Sequence, residues 1–294
     1  MTFRHLKIFI EVARCGTMRE AARQLYISQP SVSQAIRELE EHYNVTLFDR
    51  LSNRIYITEP GKLLLSYANQ ITQLCDNMES AMKNSLSCPK LRVGGSVTVG
   101  TVTLVDIIKK IHTHNPDIDI RVTIDNTTAI EQKVISSELD LAIVEGSLTN
   151  EDIVSKIVCR DELLMAVGKT HPFYSLEKVT LDMLESQPLI SREQGSADRN
   201  QFEQLMNENN IHMKKKWCCT NTEAIKNAVI NGLGIAIISR KLISEELRTG
   251  VIKAITVDNV NVKREFRLIY HKNKLISPQM KLFMDFALGS EGCQ

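Results

Sequence analysis

Residues 17–43 read TMREAARQLYISQPSVSQAIRELEEHY, and three local signals in this stretch decide how the N-terminal part folds. Thr17-Met18-Arg19-Glu20 matches a capping box, in which the Thr17 hydroxyl accepts from the backbone three residues on while Glu20 reaches back. A short helix follows, carrying Ala21, Ala22 and Leu25, and the alanine pair lets a second helix approach closely. Ser28-Gln29-Pro30 then opens another helix, because Ser is a good cap and Pro is tolerated in a first turn, where its missing N–H has no intrahelical partner. Projected at 100° per residue, Val32, Ile36, Leu39 and Tyr43 share one sector and face a core. Pro30, Ser33, Gln34, Arg37 and Glu41 fall on the opposite side, a short polar face rich in hydrogen-bonding groups.

On the N-terminal side, Phe3, Leu6, Ile10 and Ala13 recur at helical spacing and the stripe stops at Cys15-Gly16, where glycine suits a helix end. On the C-terminal side, residues 47–58, LFDRLSNRIYIT, contain an alternating segment after the polar tip Ser52-Asn53, which predicts a two-stranded wing. Arg50 and Arg54 flank that tip and are placed to hold phosphates or enter a minor groove. Helix, tight turn and polar-faced helix is the arrangement that inserts side chains into a DNA major groove, where Gln pairs with adenine and Arg with guanine. An ordinary solvated helix face carries the same residue types, and it is the wing that turns the reading toward DNA.

The chain has 294 residues, 36 basic and 35 acidic, so its net charge of +1 excludes a uniformly basic nucleic-acid coat. Residues 1–62 hold nine basic and seven acidic side chains, so placement rather than bulk charge must do the work. Apolar residues make up 43% and charged residues 24%, which excludes disorder and a fibrous repeat. With aromatics at 5% and the single Trp217, the core is built from Leu, Ile, Val and Ala, which suits helices and buried parallel strands. A secretory signal is not expected, because Glu11 and Arg14 break the first apolar run; the segment around 232–238 is far short of the ~20 residues that span a bilayer. A cytoplasmic protein with no membrane partner follows. Cys15, Cys75, Cys88, Cys159, Cys218, Cys219 and Cys293 are odd in number and lack metal-ligand spacing, so neither a disulfide framework nor a zinc site is expected.

Thr58-Glu59-Pro60 repeats the cap-and-proline signature, and the helix it starts runs to about Ser87, where Cys88-Pro89 stops it. Leu64, Ile71 and Met78 are seven apart, as are Tyr67, Leu74 and Ala81, two interleaved heptad positions that make a helix–helix seam. A seam inside one chain would need a partner helix of similar length, and none is legible. The simpler reading is a homodimer through residues 58–87 that presents two polar-faced helices to a pseudo-palindromic site in double-stranded DNA.

From Lys90 the pattern becomes alternating strands and helices: strands over 91–94, 118–124 and 139–144, helices over 101–114 and 128–137. This predicts an open parallel sheet with right-handed crossovers. After Glu145-Gly146 a second such unit appears, with strands at 163–167, 188–190, 217–220 and 235–238 and helices over 199–209 and 223–231. Residues 265–270 and 278–288 then return a strand and a helix to the first unit, so two α/β lobes joined by two crossings enclose a cleft. Ligands in such sheets sit beyond the carboxyl ends of strands, at helix N-termini. Four loops qualify: Gly95-Ser96-Val97-Thr98, Asn126-Thr127-Thr128, the run from Arg192 through Gly195 and Ser196 to Arg199, and Asn221-Thr222-Glu223. Their hydroxyls and free N–H groups favour a small anion, although each loop by itself could be a plain helix cap.

Residues 16–62, with GTMREAARQLYISQPSVSQAIRELEEHYNVTLFDR and ITEPGK, resemble the winged helix-turn-helix of LysR-type transcriptional regulators. The resemblance implies that residues 28–43 form the recognition helix, with Gln29, Pro30, Ser33, Gln34 and Arg37 at the DNA beside Ser28 and Ser31, and Arg50 and Arg54 on the wing. It further implies that the long helix is the linker helix and that dimers pair into a homotetramer. RVGGSVTVG (92–100), SREQGSADR (191–199) and NTEAIKNAVINGLGIAIIS (221–239) resemble, more loosely, the effector-domain motifs. The implied pocket contains Ser96, Thr98, Thr127, Arg192 and Ser196, and the loop reading adds Asn126, Gly195, Asn221 and Thr222. Ala197-Asp198 stands where the family frequently has Gly-Thr and brings an extra carboxylate to that pocket.

The expected fold is therefore α/β: a helix-dominated winged helix-turn-helix over 1–58, a linker helix and hinge over 59–89, and a two-lobed effector domain over 90–294 that resembles periplasmic binding proteins. Lobe I takes 90–161 and 265–294, and lobe II takes 162–264. An enzyme is not expected, since no nucleophile–base pair, metal cluster or cofactor loop is present, and His112, His114, His171, His212 and His271 are read as solvated. A cytoplasmic ligand-binding protein without a DNA role is the alternative of a different class. A thiol switch is another, resting on Cys218-Cys219 beside Lys214-Lys215-Lys216, although adjacent strand residues point to opposite faces and bridge poorly.

Overall fold

The computed structural model describes residues 1–51, 54–83, 90–146, 148, 150–185, 187–258 and 262–289. The Ser52-Asn53 tip, the expected helix end near Ser87, Cys88 and Cys293 lie outside the described residues. Three helices, α1 (Phe3–Cys15), α2 (Met18–Gln24) and α3 (Gln29–Tyr43), precede a hairpin of β1 (Phe48–Leu51) and β2 (Arg54–Ile57). Gly16, at φ 68°, closes α1, and Thr17 caps α2 by accepting from the Glu20 N–H at 3.2 Å. Only this half of the expected capping box is recorded, because the Glu20 carboxylate accepts from Arg23 and Gln24 instead. Ser28 caps α3 by accepting from the Ser31 N–H at 3.3 Å, with Pro30 in the first turn.

Leu6, Phe9, Val12, Ala21, Val32, Ile36, Leu39, Leu47 and Phe48 form the core of this part. Within α1 the most buried face is centred on Phe9 and Val12, while Ile10 and Ala13 are only half-buried. Tyr43, expected inside, is 41% exposed: it is the last residue of α3, beyond the turns that α1 covers, and its hydroxyl donates to Met1 Sδ. Such core side chains contribute about 1.5–3 kcal/mol each when fully buried.

Helix α4 (Glu59–Lys83) leaves the wing with Thr58 donating to the Thr46 carbonyl at 2.7 Å and accepting from the Gly61 N–H. Ala68 and Ser66 are buried, whereas Leu63, Tyr67, Ile71, Leu74, Met78 and Met82 form an exposed apolar stripe. Leu64, expected on the seam, turns partly into the N-terminal core and is replaced on the stripe by Leu63.

The second half runs β3 (Leu91–Ser96), α5 (Val97–Val102), α6 (Leu104–His114), β4 (Ile120–Asp125), α7 (Thr127–Ile135), β5 (Leu141–Glu145), β6 (Ile153–Gly168), β7 (Lys178–Val179), α8 (Leu181–Glu185), β8 (Pro188–Arg192), α9 (Ala197–Glu208), β9 (Lys214–Cys219), α10 (Thr222–Ile230), β10 (Ile235–Ser239), α11 (Ser244–Thr249), β11 (Ile252–Val257), β12 (Val262–His271) and α12 (Pro278–Leu288). The main strand order is β4-β3-β5-β12-β6-β10-β8-β9, with β11 on β6. Strands β3, β4 and β5 pair in parallel, as do β8, β9 and β10, in line with the two expected units.

The join between them is not parallel. The 16-residue β6 and the 10-residue β12 run antiparallel to each other through both lobes, and β12 is also antiparallel to β5. The expected strand over 163–167 is thus only the second half of β6; its first half, from Ile153 to Asp161, is mostly half-exposed and carries no continuous apolar run. The helix expected over 101–114 is broken at Thr103 into α5 and α6. Leu91, Val93, Leu104, Ile107, Leu141, Phe266, Leu268 and Phe283 fill one face of the first lobe, and Ile130, Val134, Leu139, Val144 and Ile269 the other. His171 and His271, read as solvated, are each 6% exposed; each imidazole accepts a backbone N–H two residues on, and burial lowers both pKa values. Among the described residues no helix is long and apolar enough to cross a membrane.

Candidate nucleic-acid interface and interlobe site

On α3, Ser28, Gln29, Pro30, Ser31, Gln34 and Arg37 are exposed together and Ser33 is half-exposed. Gln29 donates to Ser33 Oγ at 2.7 Å, Gln34 donates to Glu38 at 2.7 Å, and Arg37 donates to Gln34 while lying 3.6 Å from Glu41. These are exposed bonds of small net value, which a base edge or a phosphate can replace at little cost. Arg50 and Arg54 stand in β1 and β2, at either end of the hairpin tip, where Leu51 pairs with Arg54 and Arg50 with Ile55. Sequence reasoning passed over Tyr26, which is 96% exposed at the turn between α2 and α3 and holds a left-handed φ of 55°. Nothing in the local spelling marks that conformation.

Between the lobes, three of the four expected loops meet. Gly195, at φ 89°, lies so close to lobe I that a Cβ there would strike the Asn126 amide, and its carbonyl accepts from both the N–H and the hydroxyl of Thr128. Asn126 caps α7 by accepting from the Ala129 N–H at 3.0 Å, and Thr127 Oγ1 donates to the Glu145 carbonyl at 3.3 Å. The fourth loop looks after its own helix: Asn221 accepts from the Glu223 and Ala224 N–H groups. Thr222 Oγ1, Thr98 Oγ1 and Ser196 Oγ are buried and without a hydrogen-bond partner among the described residues.

The charged groups at this junction differ from expectation. Arg192 is buried, but both its Nε and Nη2 donate to Glu193, at 2.8 and 2.9 Å, so the guanidinium is already chelated. The central cation is instead Arg264 of β12, 5% exposed, whose Nε donates to Asp161 at 2.7 Å and whose Nη1 donates to Asp198. Glu145, at the end of β5, accepts from the Ser96 hydroxyl through Oε2 and has Oε1 3.9 Å from Arg264 Nη1. Its burial pushes the carboxyl up to about 7; Arg264 and Arg192 oppose the rise and Asp198 adds to it. Asp198, the extra carboxylate visible in the sequence, is therefore held by Arg264. Glu145, Asp161 and Arg264 were missed because they stand on strands rather than in loops, and only the crossing of β6 and β12 brings them together.

A cavity of about 860 Å³ opens beside this cluster, lined by Thr127, Thr128, Glu145, Gly146, Gly195, Ala197, Asn200, Arg264 and Glu265 among others. Of the expected pocket residues, Thr127 and Gly195 line it; Ser96, Thr98, Asn126, Arg192, Ser196, Asn221 and Thr222 do not. Glu145, which lines the cavity, also accepts the Ser96 hydroxyl.

Comparison with known proteins agrees with this architecture. The chain is 30% identical over 286 residues to the HTH-type transcriptional regulator YeiE of Escherichia coli K12, an alignment covering 97% of each. Among solved structures, ArgP from Mycobacterium tuberculosis superposes with a TM-score of 0.76 at 17% identity, covering 97% of this chain and 95% of that one. The CcmR regulatory domain of Synechocystis PCC6803, in complex with 2-PG, has a TM-score of 0.64 at 20% identity and covers 68% of this chain and 96% of that one. Residues 3–62 match the bacterial regulatory helix-turn-helix protein, lysR family, and residues 84–290 match the LysR substrate binding domain. The chain belongs to the LysR family of DNA-binding transcriptional regulators, with an N-terminal helix-turn-helix and a C-terminal domain that binds small-molecule effectors.

Proposed function

We propose that this regulator acts in the cytoplasm as a non-catalytic switch, in which a small anion bound between the lobes alters how a homodimer, paired into a tetramer, sets and bends a pseudo-palindromic DNA site. Residues 1–58 read DNA, 59–89 couple, and 90–294 sense, with lobe I over 90–161 and 265–294 and lobe II over 162–264. The observation that carries the sensing half is the cavity itself, which is lined by Thr127 and Thr128 of lobe I, by Gly195 and Ala197 of lobe II and by the buried Glu145 and Arg264. The 2-PG bound by the CcmR domain, an anion in the same fold, supports the sign of the charge.

Helix α7 carries the signal in this reading. Its N-terminal end touches Gly195 of lobe II, while Ser136 and Ser137 beyond its C-terminal end meet α4, where Asn69 donates to the Ser136 carbonyl and Ser66 and Ser137 hydroxyls lie 3.4 Å apart. A shift of lobe II against lobe I is thereby delivered to the helix that carries the reader. The exposed stripe on α4 supports the homodimer.

Footprinting on the DNA upstream of the chain's own gene neighbourhood tests the reader. Gln29→Ala and Arg37→Ala should each weaken binding by about 1–3 kcal/mol if they hold a base edge; full protection by both variants removes α3 as the recognition helix. A thermal-shift screen of small carboxylates, phosphates and sulfur or nitrogen oxyanions against wild type and Thr127→Ala, at a residue that lines the cavity, tests the sensor. A hit indifferent to Thr127 places the site elsewhere.

A further inference from the structure

Two of the cations beside the interlobe cavity are already neutralised by the chain itself. Arg264 donates to Asp161 and Asp198, and Arg267 donates to Glu265. Arg160 of β6 and Lys263 of β12 also line the cavity and have no ion-pair partner among the described residues. Their cross-strand neighbours are engaged elsewhere, Glu265 by Arg267 and Glu162 by Arg240. Arg160 and Lys263 are therefore the charges that an anion in the cavity can use.

At the lobe junction the imbalance has the opposite sign. Glu145, Asp161 and Asp198 surround the single guanidinium of Arg264, and Arg192 brings no relief because Glu193 chelates it. Of these three carboxylates only Glu145 lines the cavity. Its Oε2 accepts the Ser96 hydroxyl, whereas Oε1 lies 3.9 Å from Arg264 Nη1, too far for a hydrogen bond. Burial outweighs the nearby arginines in raising its carboxyl, which is what a carboxylate short of positive charge shows. Glu131 of α7 also lines the cavity without an ion pair among the described residues, and burial raises it too. Gln201 of α9 donates its amide N–H to the Lys263 carbonyl at 3.3 Å and keeps its amide oxygen buried without a donor. A plain anion that reached this end would meet net negative charge.

We propose that the effector is dipolar, with its acid group held by Arg160 and Lys263 and a protonated amine on the same molecule bound to the Glu145 carboxylate, as an amino acid, an aminoalkyl phosphate or an aminosulfonate allows. The proposal rests on the anionic, interlobe reading of the effector site and adds a second charge to it. An ammonium group supplies the N–H donors and the positive charge that Glu145 lacks, through charge-assisted hydrogen bonds. An analogue without the amine leaves the buried carboxylate unpaired, so the site discriminates by the amine more than by the acid.

Isothermal titration of the full-length chain with acids matched in pairs that differ by one amino group tests this: β-alanine against propionate, 2-aminoethyl phosphate against ethyl phosphate, taurine against ethanesulfonate, and aspartate against succinate. In wild type the amine-bearing member of at least one pair should bind about tenfold or more tightly than its partner. Glu145→Gln should erase that preference without weakening the amine-free member, and Arg160→Gln combined with Lys263→Gln should weaken both members alike, with far-UV circular dichroism confirming that the variants are folded. Equal binding of the two members in wild type, or a preference that survives in Glu145→Gln, overturns the ammonium seat and leaves the anionic site standing. Affinities unchanged in the Arg160, Lys263 double variant overturn the placement of the acid group. If no member of any pair binds, the anionic reading falls and the proposal falls with it. Binding of 1,3-diaminopropane alone would reverse the sign of the ligand and overturn both.

Discussion

At the scale of single residues, Glu145 is where chemistry and stability oppose each other. A carboxyl whose folded pKa is pushed by burial above the ordinary value of 4.5, here up to about 7, holds its proton more tightly folded than unfolded. Folding therefore becomes less favourable as pH rises through that window, and the full cost is felt above about pH 7. At about 1.4 kcal/mol per pKa unit the upper bound is about 3 kcal/mol. Glu145→Gln should thus be more stable than wild type at pH 8.5 and should lose that advantage at pH 5, as read by urea unfolding at both values. A gap of the same size at the two pH values would mean that Glu145 titrates as an ordinary carboxylate. Asp140 shows the opposite arrangement: burial works against its charge, yet Arg92 and Lys274 hold its carboxyl below the usual range.

At the scale of elements, α4 is a helix with two neighbours and three faces. One face enters the N-terminal core through Ala68 and Leu64, another carries Ser66 and Asn69 to lobe I, and the third leaves Leu63, Tyr67, Leu74 and Met78 in water. A contiguous apolar stripe of this kind marks an interface. Leu74→Glu should place charge in the seam without touching either intramolecular face, so sedimentation should show a shift toward monomer with helicity unchanged. An unaltered assembly would mean that the copies associate elsewhere. The heptad count found the stripe but misassigned Leu64, because a spacing of seven does not say which of two apolar faces belongs to the chain's own core.

At the scale of the whole molecule, reader and sensor meet through a small polar contact. Arg92 donates to the Ser137 carbonyl at 3.0 Å and is itself held by Asp140, so the Ser136-Ser137 turn, with Ser137 at φ 59°, is clamped from inside lobe I while α4 grips it from outside. Asn69→Ala should cost only about 1 kcal/mol of stability, the net worth of one hydrogen bond. It should nevertheless raise amide exchange over residues 134–138 and in the middle of α4, with α3 unaffected. Unchanged exchange in both segments would remove this contact from the signalling route.

The sequence by itself determined what depends on near neighbours along the chain: the caps at Thr17 and Ser28, the polar face of α3, the wing, the long α4 and the alternation of strands and helices, since capping, periodicity and turn chemistry act over a few residues. The loops around Ser96, Thr127 and Gly195 were legible for the same reason. Only the tertiary structure decided that β6 and β12 run antiparallel through both lobes, that Arg264 rather than Arg192 is the central cation, and that Glu145 closes over Ser96. Residues 145, 161, 198 and 264 come from four separate elements, and their charges interact only after the lobes have excluded water, a condition that no local pattern encodes.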